Sequence, residues 1–290
     1  MRPLVIRSKT LDWGARTYVM GILNITPDSF SGDGLLGESG AAGALEQARA
    51  FLAAGCDILD VGGESTRPGA QAISAEEEAA RVVPVIAALR QETDALISID
   101  TYKASVAAAA LHAGADIIND VWGLRADPDM AAVAARHGAP VILMHNRSNP
   151  NNVEIRERLG GAYAGANYTN LLEDVKCDLL ESVALARAAG IPDERIILDP
   201  GIGFGKSVAQ NLELIDRLGE IRALGFAVLL GPSRKSFIGY TLNLPPDQRA
   251  EGTAAAVAIG IARGADIIRV HDVAMMTRVA RMTDAIVRRK

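Results

Sequence analysis

The sequence predicts an α/β protein with the fold of a (β/α)₈ TIM barrel, and three observations lead to that prediction. Eight short apolar runs alternate with eight Ala-rich segments of helical period along the 290 residues. The runs are nearly continuous in apolar character, as expected for parallel strands buried on both faces. A helix-ending glycine followed by a buried strand also recurs, at 54–61, 113–120 and 263–270. We expect one barrel domain over residues 1–290, with the turn-like stretch before Thr17 forming a short N-terminal hairpin that closes the bottom.

The elements can be assigned in chain order. The strands are expected at Tyr18–Ile25, Asp57–Val61, Ala95–Ile99, Asp116–Asn119, Pro140–His145, Arg195–Asp199, Ala227–Gly231 and Asp266–Val270. The helices are expected at Ala41–Ala54, Ala75–Glu92, Ala104–Ala113, Pro128–His137, Thr169–Ala189, Gln210–Leu224, Arg249–Arg263 and Val273–Arg288. Each strand is thereby followed by one helix, which is the repeat of this barrel.

Composition excludes several classes of function. With 30 Lys+Arg against 35 Asp+Glu, the net charge of −5 argues against nucleic acid as a partner. No run approaches the roughly 18 apolar residues of a membrane helix, and the start lacks the apolar core of a signal peptide. Cys56 and Cys177 lie far apart without a CxxC pair, so neither a disulfide scaffold nor zinc-finger spacing is predicted. We expect a cytoplasmic protein that acts on small molecules and does not bind membranes.

Polar side chains stand where the predicted strands end. They are Asn24, Asp60, Asp100, Asn119, His145, Asp199, Lys235, Arg269 and His271. The carboxyl ends of parallel barrel strands meet at one mouth, where these folds place their chemistry. The sequence therefore predicts a functional site at this mouth.

Common catalytic motifs do not describe that site. The glycines of Gly201–Ser207 fit neither GxxxxGK[ST] nor GxGxxG, because Pro200 and Lys206 stand where glycines are required. The four histidines form no HxH or HExxH pair, and no GxSxG elbow occurs. A zinc hydrolase and a serine hydrolase are therefore not indicated.

Five segments together are more specific: Met20–Ser31, Gly62–Gly69, Asp199–Lys206, Ser233–Ser236 and Ile268–Asp272. Their content and order closely resemble the dihydropteroate synthase family of the folate pathway, from about Tyr18 to the C-terminus. The resemblance implies a pterin-binding barrel that condenses 6-hydroxymethyl-7,8-dihydropterin diphosphate with p-aminobenzoate, giving 7,8-dihydropteroate and pyrophosphate with the help of Mg²⁺. It also implies a homodimer and a target of sulfonamides.

The resemblance assigns roles only where the motifs match. It implies that Asn24, Lys235, Arg269 and His271 are catalytic, with Asn24 as the Mg²⁺ ligand. It implies binding of the pterin diphosphate by Thr66, Asp100, Asn119, Asp199, Lys235, Arg269 and His271. It implies binding of p-aminobenzoate by Phe30, Arg67, Pro68, Phe204, Lys235 and Ser236. A buried carboxylate suits a pterin, whose aminopyrimidinone edge offers adjacent N–H donors.

Some features depart from the family pattern or stay open. The loop at 146–150 reads Asn-Arg-Ser-Asn-Pro, so its contacts are uncertain, and Asp28 or Asp33 can supply the acidic residue of the first loop. Two other functions remain open at this point. One is an enzyme like the methyltetrahydrofolate methyltransferases, which would need no diphosphate site. The other is a pterin-binding paralogue without catalysis.

Overall fold

The fold is seen in a computed structural model that describes residues 1–25, 38–66, 69–149, 152–156 and 158–289, with the backbone alone for residues 38–41. In chain order the strands are β1 Leu4–Ile6, β2 Lys9–Leu11, β3 Tyr18–Asn24, β4 Ile58–Gly62, β5 Leu96–Asp100, β6 Ile117–Asp120, β7 Val141–Met144, β8 Val153–Arg156, β9 Gly160–Tyr163, β10 Ile196–Asp199, β11 Ala227–Leu230 and β12 Ile267–Val270. The α-helices are α1 Glu38–Ala53, α2 Ala75–Glu92, α3 Ala104–Ala113, α4 Met130–His137, α5 Leu171–Ala188, α6 Val208–Asp216, α7 Leu218–Arg222, α8 Ser236–Leu242, α9 Ala250–Ala262 and α10 Val273–Val287.

Eight parallel strands close into a barrel in the order β3-β4-β5-β6-β7-β10-β11-β12. The closing pair joins β12 to β3, with Ile267 opposite Tyr18 and Arg269 opposite Met20. The predicted (β/α)₈ barrel is thereby confirmed, and all eight predicted strands are present within a residue or so at each end. Among the described helices, none is long and apolar enough to cross a membrane.

The N-terminal hairpin closes the bottom of the barrel, as predicted. Its two strands β1 and β2 pair antiparallel, with Leu4 opposite Leu11. Leu4 and Leu11 are buried in one cluster with the first inward side chains of the barrel strands. The members contributed by the barrel are Tyr18, Met20, Ile58, Leu96, Ile117, Ile142, Ile197, Ala227, Leu229 and Ile267. This apolar layer fills the lower half of the barrel, so polar side chains that can bind a ligand are expected at the other end.

The structure corrects the predicted elements in three places. The helix expected at Gln210–Leu224 is two helices, α6 and α7, separated at Arg217. The short helix α8 was not predicted. The antiparallel hairpin of β8 and β9, which follows the 146–150 loop, was also missed. Its strands are short, β8 is largely exposed and β9 is half-buried, and β9 begins Gly-Gly, so no apolar alternation marks the hairpin.

Candidate active site at the barrel mouth

Successive residues of a barrel strand point alternately into the barrel and away from it. The residue two positions after an apolar-layer residue therefore points inward again, and these residues form a second, polar layer above the apolar one. Arg269 on β12 stands in the middle of this layer. Its Nε donates to Asp60 Oδ2 at 2.6 Å, and its Nη2 donates to Asp100 Oδ2 at 2.5 Å. One guanidinium therefore links β4, β5 and β12 and fixes the orientation of both carboxylates.

Asp60 is the most buried member of the group, with a side chain 0% exposed. Its Oδ2 also accepts from Asn119 Nδ2 at 3.3 Å, whereas Oδ1 has no partner among the described residues. Burial raises the pKa of Asp100 to about 7, although the nearby Arg269 cation acts in the opposite direction. The site therefore keeps one carboxyl group close to its titration point near neutral pH.

The loop after β10 carries the second part of the site. Asp199 Oδ1 accepts from the Gly201 N–H at 2.7 Å, and burial raises the pKa of this carboxyl. Lys235 reaches across from the start of α8, donates to the Ile202 carbonyl, and places its Nζ 4.7 Å from the centre of the Phe204 ring. Burial lowers the pKa of Lys235 to about 8, against the opposing effect of Asp199.

Gly203 in this loop leaves room for the side chain of Lys235. Its φ of +87° lies in the left-handed region, and a Cβ there would come within 3.0 Å of Lys235 Cδ. The glycines of the 201–205 segment thus give a tight turn over which a cation and an aromatic ring meet.

His145 does not face the mouth, which corrects the prediction that all nine strand-end residues converge there. Because residues alternate along β7, the His145 side chain points away from the barrel axis toward α5, where it is buried and 0% exposed. Its Nδ1 lies 2.9 Å from Lys206 Nζ, and its Nε2 lies 3.1 Å from Asp178 Oδ2 on α5. Burial, reinforced by the Lys206 charge, holds the pKa of His145 well below its usual range. Because Lys206 also donates to the carbonyls of Gly201 and Phe204, the pair supports the loop from behind.

His271 follows β12 and is oriented by a serine that sequence reasoning did not single out. The His271 N–H donates to Ser233 Oγ at 3.1 Å, while the same oxygen lies 3.0 Å from His271 Nδ1. A hydroxyl that accepts from the backbone in this way can donate its own hydrogen to Nδ1, leaving the proton of a neutral ring on Nε2.

Two polar loop residues without a predicted role are structural. Glu64 accepts from the Tyr102 hydroxyl at 2.9 Å and from Lys103 at 2.5 Å, which anchors the loop after β4. Arg234 forms a two-pronged pair with Asp272. These contacts hold the two loops that carry Thr66 and Lys235.

The remaining predicted site residues divide into two groups. Asn24 ends β3 opposite Gly62, Thr66 is half-buried, Phe204 is 9% exposed, and Ser236 is the half-buried first residue of α8. Phe30, Arg67 and Pro68 lie outside the described residues, as do the alternative acidic residues Asp28 and Asp33. Among the described residues, no three His, Cys, Asp or Glu side chains are grouped as a metal site.

Sequence reasoning placed Asp60 at the mouth but missed its central position. The signal was available, since Asp60 stands two residues after the buried Ile58 on β4 and must share its face. Tyr163 on β9 was missed because its hairpin was not predicted.

Comparison with known proteins shows which proteins this chain is similar to. The family described as pterin binding enzyme matches residues 20–271. The chain is 51% identical to a dihydropteroate synthase of Clostridium beijerinckii, covering 98% of this chain and 99% of the relative. It is 50% identical to a dihydropteroate synthase of Bacillus subtilis, covering 97% and 93%.

Solved structures give the same result. A Clostridium difficile dihydropteroate synthase determined in the presence of pteroic acid matches with a TM-score of 0.87 and 47% identity, covering 96% of this chain and 99% of that one. A Yersinia pestis dihydropteroate synthase in a sulfonamide drug complex matches with a TM-score of 0.88 and 42% identity, covering 98% and 99%.

Proposed function

Because the chain belongs to the pterin-binding enzyme family and, within it, to the dihydropteroate synthases, we propose how its own residues divide the work of that activity. The enzyme condenses 6-hydroxymethyl-7,8-dihydropterin diphosphate with p-aminobenzoate. The amine nitrogen forms a bond to the exocyclic methylene carbon, the bond from that carbon to the diphosphate oxygen breaks, and the amine loses one proton. The products are 7,8-dihydropteroate and pyrophosphate.

The pterin ring is bound at the floor of the mouth by Asp100, Asn119 and Asp199. This assignment is supported by the positions of the three side chains, which point inward from adjacent or nearby strands directly above the apolar layer. The ring offers N–H donors along one edge, and buried carboxylates accept them as charge-assisted hydrogen bonds. Arg269 fixes Asp100 in place and lays a planar guanidinium beside the ring.

The diphosphate lies further out, toward Lys235, Arg269, His271 and Thr66. The amine of p-aminobenzoate is a weak, neutral nucleophile, so a strong base offers little advantage. Catalysis therefore depends on stabilising the negative charge that accumulates on the departing pyrophosphate. The cations of Arg269 and Lys235 and the Nε2–H of His271 supply that stabilisation from three different loops or strands.

We propose Mg²⁺ as the cofactor, with Asn24 as its protein ligand. The support is the position of Asn24, which ends β3 opposite Gly62 at the mouth of the barrel. An amide oxygen is a hard ligand of the kind that Mg²⁺ accepts, and this cation is commonly held by one or two protein groups plus substrate phosphates. When bound, the ion would neutralise diphosphate charge.

The p-aminobenzoate site is built on Phe204, Lys235 and Ser236. Phe204 and Lys235 are in contact, and Ser236 follows Lys235 directly, which supports a small pocket with an aromatic wall and a cation for the carboxylate. Phe30, Arg67 and Pro68 are proposed to complete this pocket from the loops after β3 and β4.

We further propose that the chain acts in the cytoplasm as a homodimer of single-domain subunits. The support for the dimer is a group of exposed apolar side chains on the neighbouring helices α6, α9 and α10. They are Leu212, Ile259, Met282 and Ile286. Exposed apolar side chains on neighbouring helices are typical of an interaction surface, and we propose that a second copy of the chain covers them.

The observation that carries the proposal is the Asp60–Arg269–Asp100 bridge below a lysine and a histidine. The test is a pyrophosphate-release assay with Mg²⁺, in which release should require both the pterin diphosphate and p-aminobenzoate. Release that does not depend on p-aminobenzoate, or pterin binding without release, would refute the activity. Methyl transfer from methyltetrahydrofolate in place of condensation would support the methyltransferase alternative.

A further inference from the structure

The β8–β9 hairpin is an addition to the eight-fold repeat that comes close to the proposed p-aminobenzoate pocket. It follows the 146–150 loop, and Val153 pairs with Tyr163 across it. The hairpin is fixed on the side of α8. There the Arg249 Nη2 donates to the Leu159 carbonyl at 2.7 Å, and the Tyr240 hydroxyl donates to the Gly160 carbonyl at 3.3 Å.

The other end of the hairpin is fixed to the loop after β10. The Ala166 N–H and the Tyr168 hydroxyl donate to the Gly205 carbonyl, at 2.9 Å and 3.1 Å. A two-stranded hairpin alone is marginally stable, so these contacts are what hold it in one position over the mouth. A side chain carried by it can then serve as a fixed reference for neighbouring loops.

Tyr163 at the end of β9 uses that position to touch two parts of the site. Its ring stacks on Phe204, with centroids 6.0 Å apart and planes inclined by 29°. Its hydroxyl donates to the backbone carbonyl of Thr66 at 3.0 Å, a contact between residues 97 positions apart in sequence. Phe204 in turn lies under Lys235 Nζ, so the order across the pocket is Tyr163, Phe204, Lys235.

We propose that Tyr163 is a positioning residue for p-aminobenzoate, which sets the Phe204 ring and the Thr66 backbone at their correct separation. This inference rests on the proposed function, because it takes Phe204 and Lys235 to form the p-aminobenzoate pocket. Tyr163 acts through these neighbours, and among the described residues its hydrogen bond and its ring contact go to Thr66 and Phe204 and not to Asp100, Asn119 or Asp199. Its loss should therefore affect one substrate far more than the other.

The test compares three variants by steady-state kinetics with each substrate varied separately. Tyr163→Phe keeps the stacked ring and removes the hydroxyl, so we expect the KM for p-aminobenzoate to rise about fivefold, as for one lost hydrogen bond. Tyr163→Leu also removes the ring, and its KM should rise further. In both variants the KM for the pterin diphosphate should rise less than the KM for p-aminobenzoate, because the contact of Tyr163 with the diphosphate side of the site is a single hydrogen bond to the Thr66 carbonyl.

Tyr18→Phe is the matched control, because it removes a tyrosine hydroxyl that accepts from the Asp12 N–H at the bottom of the barrel, away from the mouth. It should leave both KM values unchanged, and thermal unfolding of all three variants shows whether the fold is intact. Equal changes in the two KM values, or no change in Tyr163→Phe with the fold intact, would overturn the positioning role. Wild-type enzyme that releases no pyrophosphate from the substrate pair would instead overturn the proposed function, and this inference with it.

Discussion

Replacing Arg269 by lysine tests whether the bridge at the centre of the mouth has the energetic importance that its geometry indicates. The guanidinium satisfies Asp60 and Asp100 together through Nε and Nη2, at 2.6 Å and 2.5 Å. A lysine ammonium is a point charge and cannot span both carboxylates with that geometry. The variant therefore keeps the charge and loses one of the two contacts.

The expected cost follows from the burial of the groups. A hydrogen bond to a charged group contributes about 1.5–3 kcal/mol, and an unpaired buried carboxylate adds a desolvation cost. The Asp60 side chain is 0% exposed, and its Oδ1 already lacks a hydrogen-bond partner among the described residues. Water therefore cannot replace the contact that Asp60 loses when Arg269 is shortened to lysine. We expect the free energy of unfolding to fall by about 2–3 kcal/mol, which corresponds to a decrease of roughly 5 °C in Tm for a chain of this size.

Urea unfolding measures this change, and Arg49→Lys is the matched control. Arg49 also uses Nε and Nη2 to hold one carboxylate, that of Glu92, but the two side chains are 62% and 37% exposed. Exposed pairs of this kind contribute little, so the control should unfold like wild type. An Arg269→Lys variant as stable as Arg49→Lys would refute the argument that burial makes this bridge important.

Three further predictions concern the ligands. Asp199→Asn should weaken pterin binding at least tenfold in calorimetry because an acceptor becomes a donor facing ring N–H groups, whereas Asp266→Asn, a buried aspartate at the bottom of the barrel, should leave pterin affinity unchanged. Pterin affinity should rise with pH up to about 7 and then level off, because the raised pKa of Asp100 makes proton loss a cost of binding below that value. The same shift makes the stability of the free enzyme fall as pH rises from about 4 to 7, and Asp100→Asn should reduce both trends, leaving the part that comes from the raised pKa values of Asp120 and Asp199. Sulfonamides should inhibit competitively against p-aminobenzoate, because a ring with an anionic substituent fits beside Phe204 and Lys235; inhibition that p-aminobenzoate does not relieve would contradict the proposed pocket.

The sequence predicted the barrel well because its signals are local and repeated. Each strand is an apolar run, and each helix of the repeat has its own period and end signals, as in Gly114 and Gly138, which adopt the left-handed conformation after α3 and α4. The β8–β9 hairpin gave no such signal, since its stability comes from contacts with Arg249 and Gly205 that are distant in sequence. For the same reason, no local pattern places Tyr163 near Phe204.

Which residues belong to the site depends on the phase in which side chains alternate between inward and outward positions along each strand. On β4, β6, β10 and β12 the residue two positions after the inward apolar side chain is Asp60, Asn119, Asp199 or Arg269. These residues face the barrel axis, whereas Asp120 and His145 stand one position out of phase and bind loops behind the mouth. Counting two positions along each strand from the apolar layer therefore separates the two groups by their sequence positions alone.

The same phase explains how charge is arranged along the path of the substrate. The inner layer holds three carboxylates, on Asp60, Asp100 and Asp199, against one guanidinium, so it favours a ligand that brings N–H donors and no negative charge. Lys235 and the ring of His271 lie at the ends of β11 and β12, in the segments that follow these strands, and so on the outer side of that layer. A molecule that is a neutral ring at one end and an anionic diphosphate at the other fits this gradient in one orientation only. The bond to be broken then lies between the two layers, where the leaving group meets cations and the ring meets acceptors.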